Sequence, residues 1–128
     1  MTPVHRELAS DLLAFDLSEE IRIVREELRG AHERIARTLV KEGPLRLTLV
    51  GVNPGGALRP HEAAGPIAVQ VLEGEIEFEA AGVSRTLAPG SIVVLDGGVR
   101  HAVRSTRGGI FLLTLTAPGV PREAVRPG

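Results

Sequence analysis

The 128-residue sequence contains no cysteine, no tryptophan and no tyrosine. Without cysteine the protein can form no disulfide, no thiolate metal site and no cysteine nucleophile. Its three phenylalanines are too few for the aromatic platforms on which single-stranded nucleic acids stack. A hydrophobic core must therefore consist almost entirely of valine, leucine, isoleucine and alanine.

An excess of charge and long apolar runs are also missing. The 15 basic and 16 acidic residues give a formal net charge of −1, so we expect neither a nucleic acid nor an anionic membrane as partner. Asp11 and Asp16 stand where a secretory signal needs an uninterrupted apolar segment, and the apolar runs elsewhere are too short to span a membrane. These features predict a single-domain cytoplasmic protein.

The N-terminal region has the apolar spacing of an amphipathic helix. Apolar residues recur there every three or four positions, at Leu8, Leu12, Phe15, Ile21, Val24 and Leu28. Asp16 or Ser18 is placed to cap the second segment, and Gly30 is placed to end it. Residues 1–30 are therefore predicted to form a helical arm. The arm must bury its apolar stripe on its own domain or on a partner's sheet, and the second option predicts a homodimer.

From residue 31 onward the pattern becomes that of short β-strands. Residues 32–41 alternate in a way that favours a strand, although a continued helix also fits their spacing. Beyond Gly43-Pro44 several short strands are separated by turn residues such as those at 53–56. This regular spacing predicts a sandwich or barrel over residues 31–117, and the Pro- and Gly-rich residues 118–128 are expected to form a surface tail.

Two of these segments resemble the signature motifs of the cupin family. The first family motif is Gly, five residues, His-x-His, three or four residues, Glu, six residues, Gly. Residues 55–74 approximate it, with His61 at the first His position, Ala63 at the second and Ile67 at the Glu position. The run Val71-Leu72-Glu73-Gly74-Glu75 is very typical of the family.

The second family motif is Gly, five residues, Pro-x-Gly, two residues, His, three residues, Asn. The residues at those spacings are Gly90, Asp96, Gly98, His101 and Ser105, so Asp replaces Pro and Ser replaces Asn. The resemblance covers about two-thirds of the chain. It implies a mainly β fold, a double-stranded β-helix (the jelly-roll or cupin barrel) with an N-terminal helical arm. The arm and the His-x-Ala sequence also resemble a subgroup of small bacterial cupins of uncharacterised function.

The resemblance implies a metal site that is incomplete in this sequence. Cupins that bind Fe, Mn, Ni, Cu or Zn typically use three His and one Glu, donors that suit divalent transition metals. This sequence keeps His61 and His101, whereas Ala63 and Ile67 have no lone pair to donate. Because two imidazoles rarely hold a metal alone, the site is either degenerate, with no metal, or rebuilt with a third ligand around one such ion.

Three further side chains are candidates for a third ligand. His32 qualifies if its strand, or that of a partner subunit, lies over the barrel mouth. Glu62 and Gln70 have the wrong strand parity and are expected to point away from the interior. The candidate metal ligands are therefore His61, His101 and His32, and the alternative for His32 is a surface histidine without a role.

Strand alternation predicts an apolar pocket around the two histidines. Arg59 shares the parity of His61 and Ala63, and three apolar residues of a later strand face the same interior, namely Ile67, Val69 and Val71. Arg59, His61 and His101 are therefore the candidate ligand-binding residues. An arginine can bind a carboxylate bidentately, which predicts a small organic carboxylate as ligand. The alternative for Arg59 is a residue of the rim that points to solvent.

These residues are compatible with three functions. The first is a cupin-type barrel that binds a small ligand and is weakly catalytic or non-catalytic. The second is a metal-dependent dioxygenase or isomerase that uses His61, His101 and a third ligand. The third is a structural or regulatory dimer whose pocket is filled by its own side chains. The glutamates at 73, 75, 77 and 79 are expected to form a solvated hairpin face.

Overall fold

The computed structural model describes residues 12–116. This part of the chain contains one helix, α1 (Leu17–Leu28), and nine strands. The strands are β1 (Arg34–Glu42), β2 (Leu45–Val52), β3 (Ala57–His61), β4 (Ile67–Gly74), β5 (Ile76–Ala80), β6 (Val83–Leu87), β7 (Ile92–Leu95), β8 (His101–Arg104) and β9 (Gly109–Thr116). Leu8 of the predicted arm and the predicted tail lie outside the described residues.

The nine strands form two antiparallel sheets. One has five strands in the order β1-β2-β9-β4-β7, and the other has four in the order β3-β8-β5-β6. Non-consecutive neighbours such as β2 and β9 are the crossovers of a jelly roll, which confirms the mainly β barrel expected from the sequence. Residues 34–42 are a strand rather than a continued helix.

The inner faces of both sheets meet in one aliphatic core. β4 alternates as predicted, with Ile67, Val69 and Val71 buried and Gln70 on the opposite face. Phe78 and Phe111 are the aromatic residues of this core, and its other members are Val50, Val52, Ile76, Leu87 and Val103. The barrel interior is therefore built from branched aliphatic side chains, as the composition requires.

Helix α1 begins at Leu17, where the second helical segment was predicted to start, and residues 12–16 before it are not helical. Asp16 has extended backbone angles (φ −92°, ψ 111°), and its side chain accepts a hydrogen bond from the backbone N–H of Ser18 at 2.9 Å. Asp16, not Ser18, is thus the N-cap. Because its backbone is extended, α1 does not run back to Leu12. Phe15 nevertheless packs against the apolar cluster beneath the helix.

The helix covers the outer face of the five-stranded sheet of its own barrel. Val24 is fully buried there in a second apolar cluster that includes Leu39, Leu49 and Ile110. Arg37 of β1 donates from Nε to Glu20 of the helix at 2.9 Å, and both side chains are buried. The apolar stripe of α1 is therefore buried on its own chain. It no longer argues for a homodimer, which stays a prediction. Within residues 12–116 no helix is long and apolar enough to cross a membrane.

Gly74, which closes the first motif, is held in place by the backbone of the β8–β9 turn. Its φ of +70° is left-handed, and a Cβ there would overlap the carbonyl oxygen of Gly108 and lie 2.7 Å from the Cα of Gly109. Gly82 has a similar φ of +76°, but a Cβ there would meet nothing within 4 Å. The two glycines therefore share the conformational strain and differ in crowding.

Replacing these glycines by alanine should separate the cost of a left-handed backbone from the cost of crowding. Gly82→Ala is expected to lower the free energy of unfolding by about 1–2 kcal/mol, the cost of left-handed backbone for an alanine. Gly74→Ala is expected to lower the free energy of unfolding by roughly 2 kcal/mol more than Gly82→Ala, because backbone atoms must also move. Urea denaturation of both variants measures the difference, and equal losses would show that the backbone around Gly74 leaves room for a methyl group.

Candidate functional site

A β-bulge in β3 sets the direction of the first histidine. β3 pairs with β8 at Leu58 and Val103, and pairing resumes one residue late, at His61 and His101. An extra residue in one strand of a pair is a bulge, and Pro60 is tolerated in it because no ladder N–H is needed there. Leu58 packs against the barrel core, and the bulge brings His61 to the same inner side.

The two histidine rings lie side by side at the open end of the barrel. Their centroids are 4.3 Å apart and their planes are tilted by 60°. His101 is buried and stacks on Phe78, with centroids 5.7 Å apart and planes 12° apart. His61 is exposed. The ring of His101 is thus fixed by the core, and the ring of His61 lies over that of His101 at the mouth.

Each histidine ring is oriented by a backbone carbonyl two residues earlier in the chain. Nδ1 of His61 lies 2.9 Å from the carbonyl oxygen of Arg59, and Nδ1 of His101 lies 3.0 Å from that of Val99. A carbonyl oxygen only accepts hydrogen bonds, so Nδ1 must donate in both rings. In a neutral imidazole the lone pair is then on Nε2, which remains available to accept a hydrogen bond or to bind a metal.

Both histidines line a cavity of about 240 Å³ at the barrel mouth. Apolar side chains form most of its wall, and they include Ala63, Ile67, Leu113 and Leu115. This volume equals that of roughly eight water molecules, so the cavity admits only a small molecule. An apolar cavity with a few polar groups is the usual form of a small-molecule site.

The bulge and the end of β3 decide where Arg59 and Glu62 lie relative to this cavity. Arg59 was expected either in this cavity beside His61 or at the rim, and it is exposed and does not line the cavity, which agrees with the rim alternative. Arg59 lines two outer clefts instead, and His61 lines one of them beside it. Glu62 was expected to point away from the interior, and it is exposed but contributes to the cavity lining just after β3 ends at His61, where strand parity no longer applies.

His32 is exposed in the bend that precedes β1, two residues before that strand begins. In the part of the chain from residue 12 to 116, no three His, Asp or Glu side chains converge to hold a metal ion. His32 is therefore not brought to His61 and His101 within one chain. Two imidazole nitrogens without a third donor do not fit a tightly bound divalent metal.

Comparisons with known proteins agree with this geometry. A family model described as "Cupin domain" matches residues 48–114. A conserved protein of unknown function from Streptococcus pyogenes has the same fold, with 25% identity, a TM-score of 0.63, and coverage of 69% of this chain and 77% of that chain. A search of curated proteins gives no match.

Two further solved structures show likeness of fold alone, because their identities are below 25%. Salicylate 1,2-dioxygenase from Pseudoaminobacter salicylatoxidans is 17% identical, with a TM-score of 0.69 and coverage of 79% of this chain and 32% of that chain. KdgF from Halomonas sp. is 20% identical, with a TM-score of 0.61 and coverage of 75% and 88%.

Truncating the two histidines should affect stability very differently. His101→Ala is expected to lower the free energy of unfolding by about 2–4 kcal/mol, because it leaves a void against Phe78. His61→Ala should change it by no more than about 0.5 kcal/mol, because the ring is exposed. Urea denaturation of both variants tests this, and a large loss for His61→Ala would contradict the described packing.

Proposed function

This chain belongs to the cupin family, and on that premise we propose that it binds a small organic molecule in the cavity beside His61 and His101, with weak or no catalysis. The observation that supports this most directly is the pair of Nε2 atoms left free in a mostly apolar cavity. Directed acceptors in an apolar surrounding give a ligand both orientation and affinity.

The ligand's chemistry follows from what the two rings offer. A neutral imidazole whose Nδ1 already donates can only accept at Nε2, so the ligand must bring an O–H or N–H donor. A carboxylate finds no arginine among the residues that line this cavity, since Arg34 and Arg59 line a neighbouring outer cleft that only His61 of the two histidines shares. We therefore propose that an acid binds together with a proton, and that a small hydroxyl compound binds in the same way.

Weak catalysis follows from the charges at the cavity. An imidazole can take a proton from the ligand, but rate enhancement depends on stabilising the charge that then develops. Arg59, the cation expected from the sequence, does not line the cavity, and Glu62 would oppose an anion. We further expect a cytoplasmic homodimer, a prediction that comes from the sequence.

The second candidate is a metal-dependent dioxygenase or isomerase. It is favoured by one observation, the two adjacent imidazoles with free Nε2 atoms, since those are atoms that a divalent transition metal binds. A third protein ligand is required, and no group of three such side chains exists among residues 12–116. The ligand-binding proposal needs no such addition.

Ligand binding can be tested with two related molecules, of which only one has a hydrogen-bond donor. Benzyl alcohol is expected to bind at least a few-fold more tightly than benzyl methyl ether, because only the alcohol can donate to Nε2. His61→Ala should weaken binding of the alcohol by roughly two- to tenfold and leave the affinity for the ether unchanged. Titration followed by amide chemical shifts in NMR spectra measures both affinities.

His32→Ala is the matched control, since this exposed histidine lies away from the cavity and should leave both affinities unchanged. Equal affinities for the alcohol and the ether would contradict the role of the imidazoles. A screen of small hydroxyl compounds and carboxylic acids near millimolar concentration should also raise the melting temperature, and no shift beyond about 1 °C for any of them would count against binding.

Metal content separates the two candidate functions. Protein purified without a histidine tag is expected to contain less than about 0.1 equivalent of any transition metal and to take up none on titration, because two donors bind too weakly. Elemental analysis of the purified protein measures this. Stoichiometric metal that is lost in His61→Ala would instead establish the metalloenzyme.

A further inference from the structure

Strand β7, at one edge of the five-stranded sheet, exposes two large apolar side chains. Ile92 is 59% exposed and Val94 is 72% exposed. Val93 and Leu95 of the same strand pack against the barrel core, so Ile92 and Val94 point to the outer face of the sheet. Two neighbouring β-branched side chains on an exposed strand form a small apolar contact surface.

The sheet surface beside these two side chains carries no charge. Across the sheet from them lie neutral outer-face residues, namely Ala68 and Gln70 of β4 and Leu112 and Thr114 of β9. Helix α1 packs on β1 and β2, at the other side of the sheet, and leaves β7 uncovered. A charged partner finds no opposite charge here, whereas a second copy of the same surface meets no charge that repels it.

The backbone of β7 offers hydrogen-bonding groups at the same place. The carbonyl of Ser91 accepts from the N–H of Val71 in β4, and β4 is the strand with which β7 pairs. In an antiparallel pair every second residue directs both backbone groups at its neighbour, so the groups of Ile92 and Val94 point away from the sheet. Within residues 12–116 no strand pairs with that edge.

The other three sheet edges of the described chain have features that prevent pairing with another strand. Charged side chains, proline and bulges serve this purpose in β-proteins. β1 has the exposed Lys41 and a register shift after Thr38, β3 has Arg59, Pro60 and its bulge, and β6 has the exposed Arg85. β7 has the sequence Ile-Val-Val-Leu and none of these features. Of these four edges, β7 is therefore the one suited to pairing.

We propose that two copies of this chain pair antiparallel along β7, so that one sheet continues through both barrels. The proposal rests on the homodimer expected above and assigns it a surface. A two-fold axis through Val93 places Ile92 of each copy opposite Val94 of the other. The outward backbone groups of both residues are then paired, and their side chains meet on the outer face. In this register Asp96 lies opposite Gly90 of the second copy, so like charges do not meet.

A second copy matches this edge better than the remaining segments of the chain do. Residues 117–128 contain three prolines, which have no N–H to donate, and Val120 and Val125 have opposite strand parity, so one strand face presents only one of them. Residues 1–11 have helical apolar spacing, and the backbone groups of a helix interior bond within the helix. A second copy brings both β-branched side chains and the matching backbone groups.

Sedimentation velocity of the full chain, from about 5 µM to about 1 mM, tests the proposal. Such a surface is smaller than the roughly 1,200 Å² of a stable interface, so we expect a reversible dimer with a dissociation constant of roughly 10 µM to 1 mM. Val94→Lys should weaken self-association at least about tenfold, because the charge would lose water in the contact. Its circular dichroism spectrum should stay native, since edge strands tolerate lysine. Val83→Lys, on the exposed strand β6, is the matched control and should dimerise normally.

Engineered cysteines test the register, since the chain has no cysteine of its own. A mixture of the Ile92→Cys and Val94→Cys variants should form a disulfide faster than either variant alone, because only residues 92 and 94 lie opposite each other. Equal rates in all three samples would overturn the proposal, whether or not Val94→Lys folds.

The outcomes separate this proposal from the broader ones. A chain that stays monomeric up to about 1 mM would overturn both the β7 pairing and the homodimer. A dimer that Val94→Lys leaves intact would overturn the pairing alone. Nuclear Overhauser contacts of Ile92 and Val94 with residues 1–11 or 117–128 of their own chain would also overturn it. Ligand binding in the barrel cavity is measured by its own titration and does not depend on these results.

Discussion

The extra residue in β3 is the constraint on which the histidine site of this barrel depends. Regular alternation from Leu58 would turn His61 outward, and the bulge at Arg59 and Pro60 instead brings its ring to within 4.3 Å of that of His101. The same bulge leaves Arg59 outside, in the outer clefts. One local irregularity of the backbone therefore separates an apolar cavity that holds imidazoles from an outer cleft that holds fixed charges.

The barrel supports this arrangement with its backbone rather than with a network of side chains. Carbonyl oxygens of Arg59 and Val99 accept from the two Nδ1 atoms, and so the rings are oriented by the backbone and not by a hydrogen bond to a carboxylate. Stacking on Phe78 fixes His101 further. On the other side of the barrel, α1 and the buried Glu20–Arg37 pair cover the five-stranded sheet. The mouth is thus the place where a small molecule can reach the interior.

Much of the fold could be predicted from the sequence, because motif spacing and turn residues are local signals. The two motifs correctly placed His61 and His101 opposite each other, and alternation correctly placed Ile67 and its neighbours inside. Arg59 and Glu62 could not be placed by alternation alone, since a bulge and the end of a strand change parity. Pro60 is the residue that marks the bulge, because a regular ladder excludes proline. Glu77, expected on a solvated face, has only 18% of its side chain exposed, and this burial was hidden because it depends on neighbouring strands that are distant in sequence.

The protonation pattern of the two imidazoles tests the central claim most directly. Long-range ¹H–¹⁵N correlation spectra of the protein at a pH where both rings are neutral report which nitrogen carries the proton. The account predicts Nδ1–H for both His61 and His101, with an unprotonated Nε2 in each ring, and cross-relaxation between protons of the two rings. A proton on Nε2 in either ring, or rings too far apart for cross-relaxation, would contradict a paired site that offers two acceptors to a ligand.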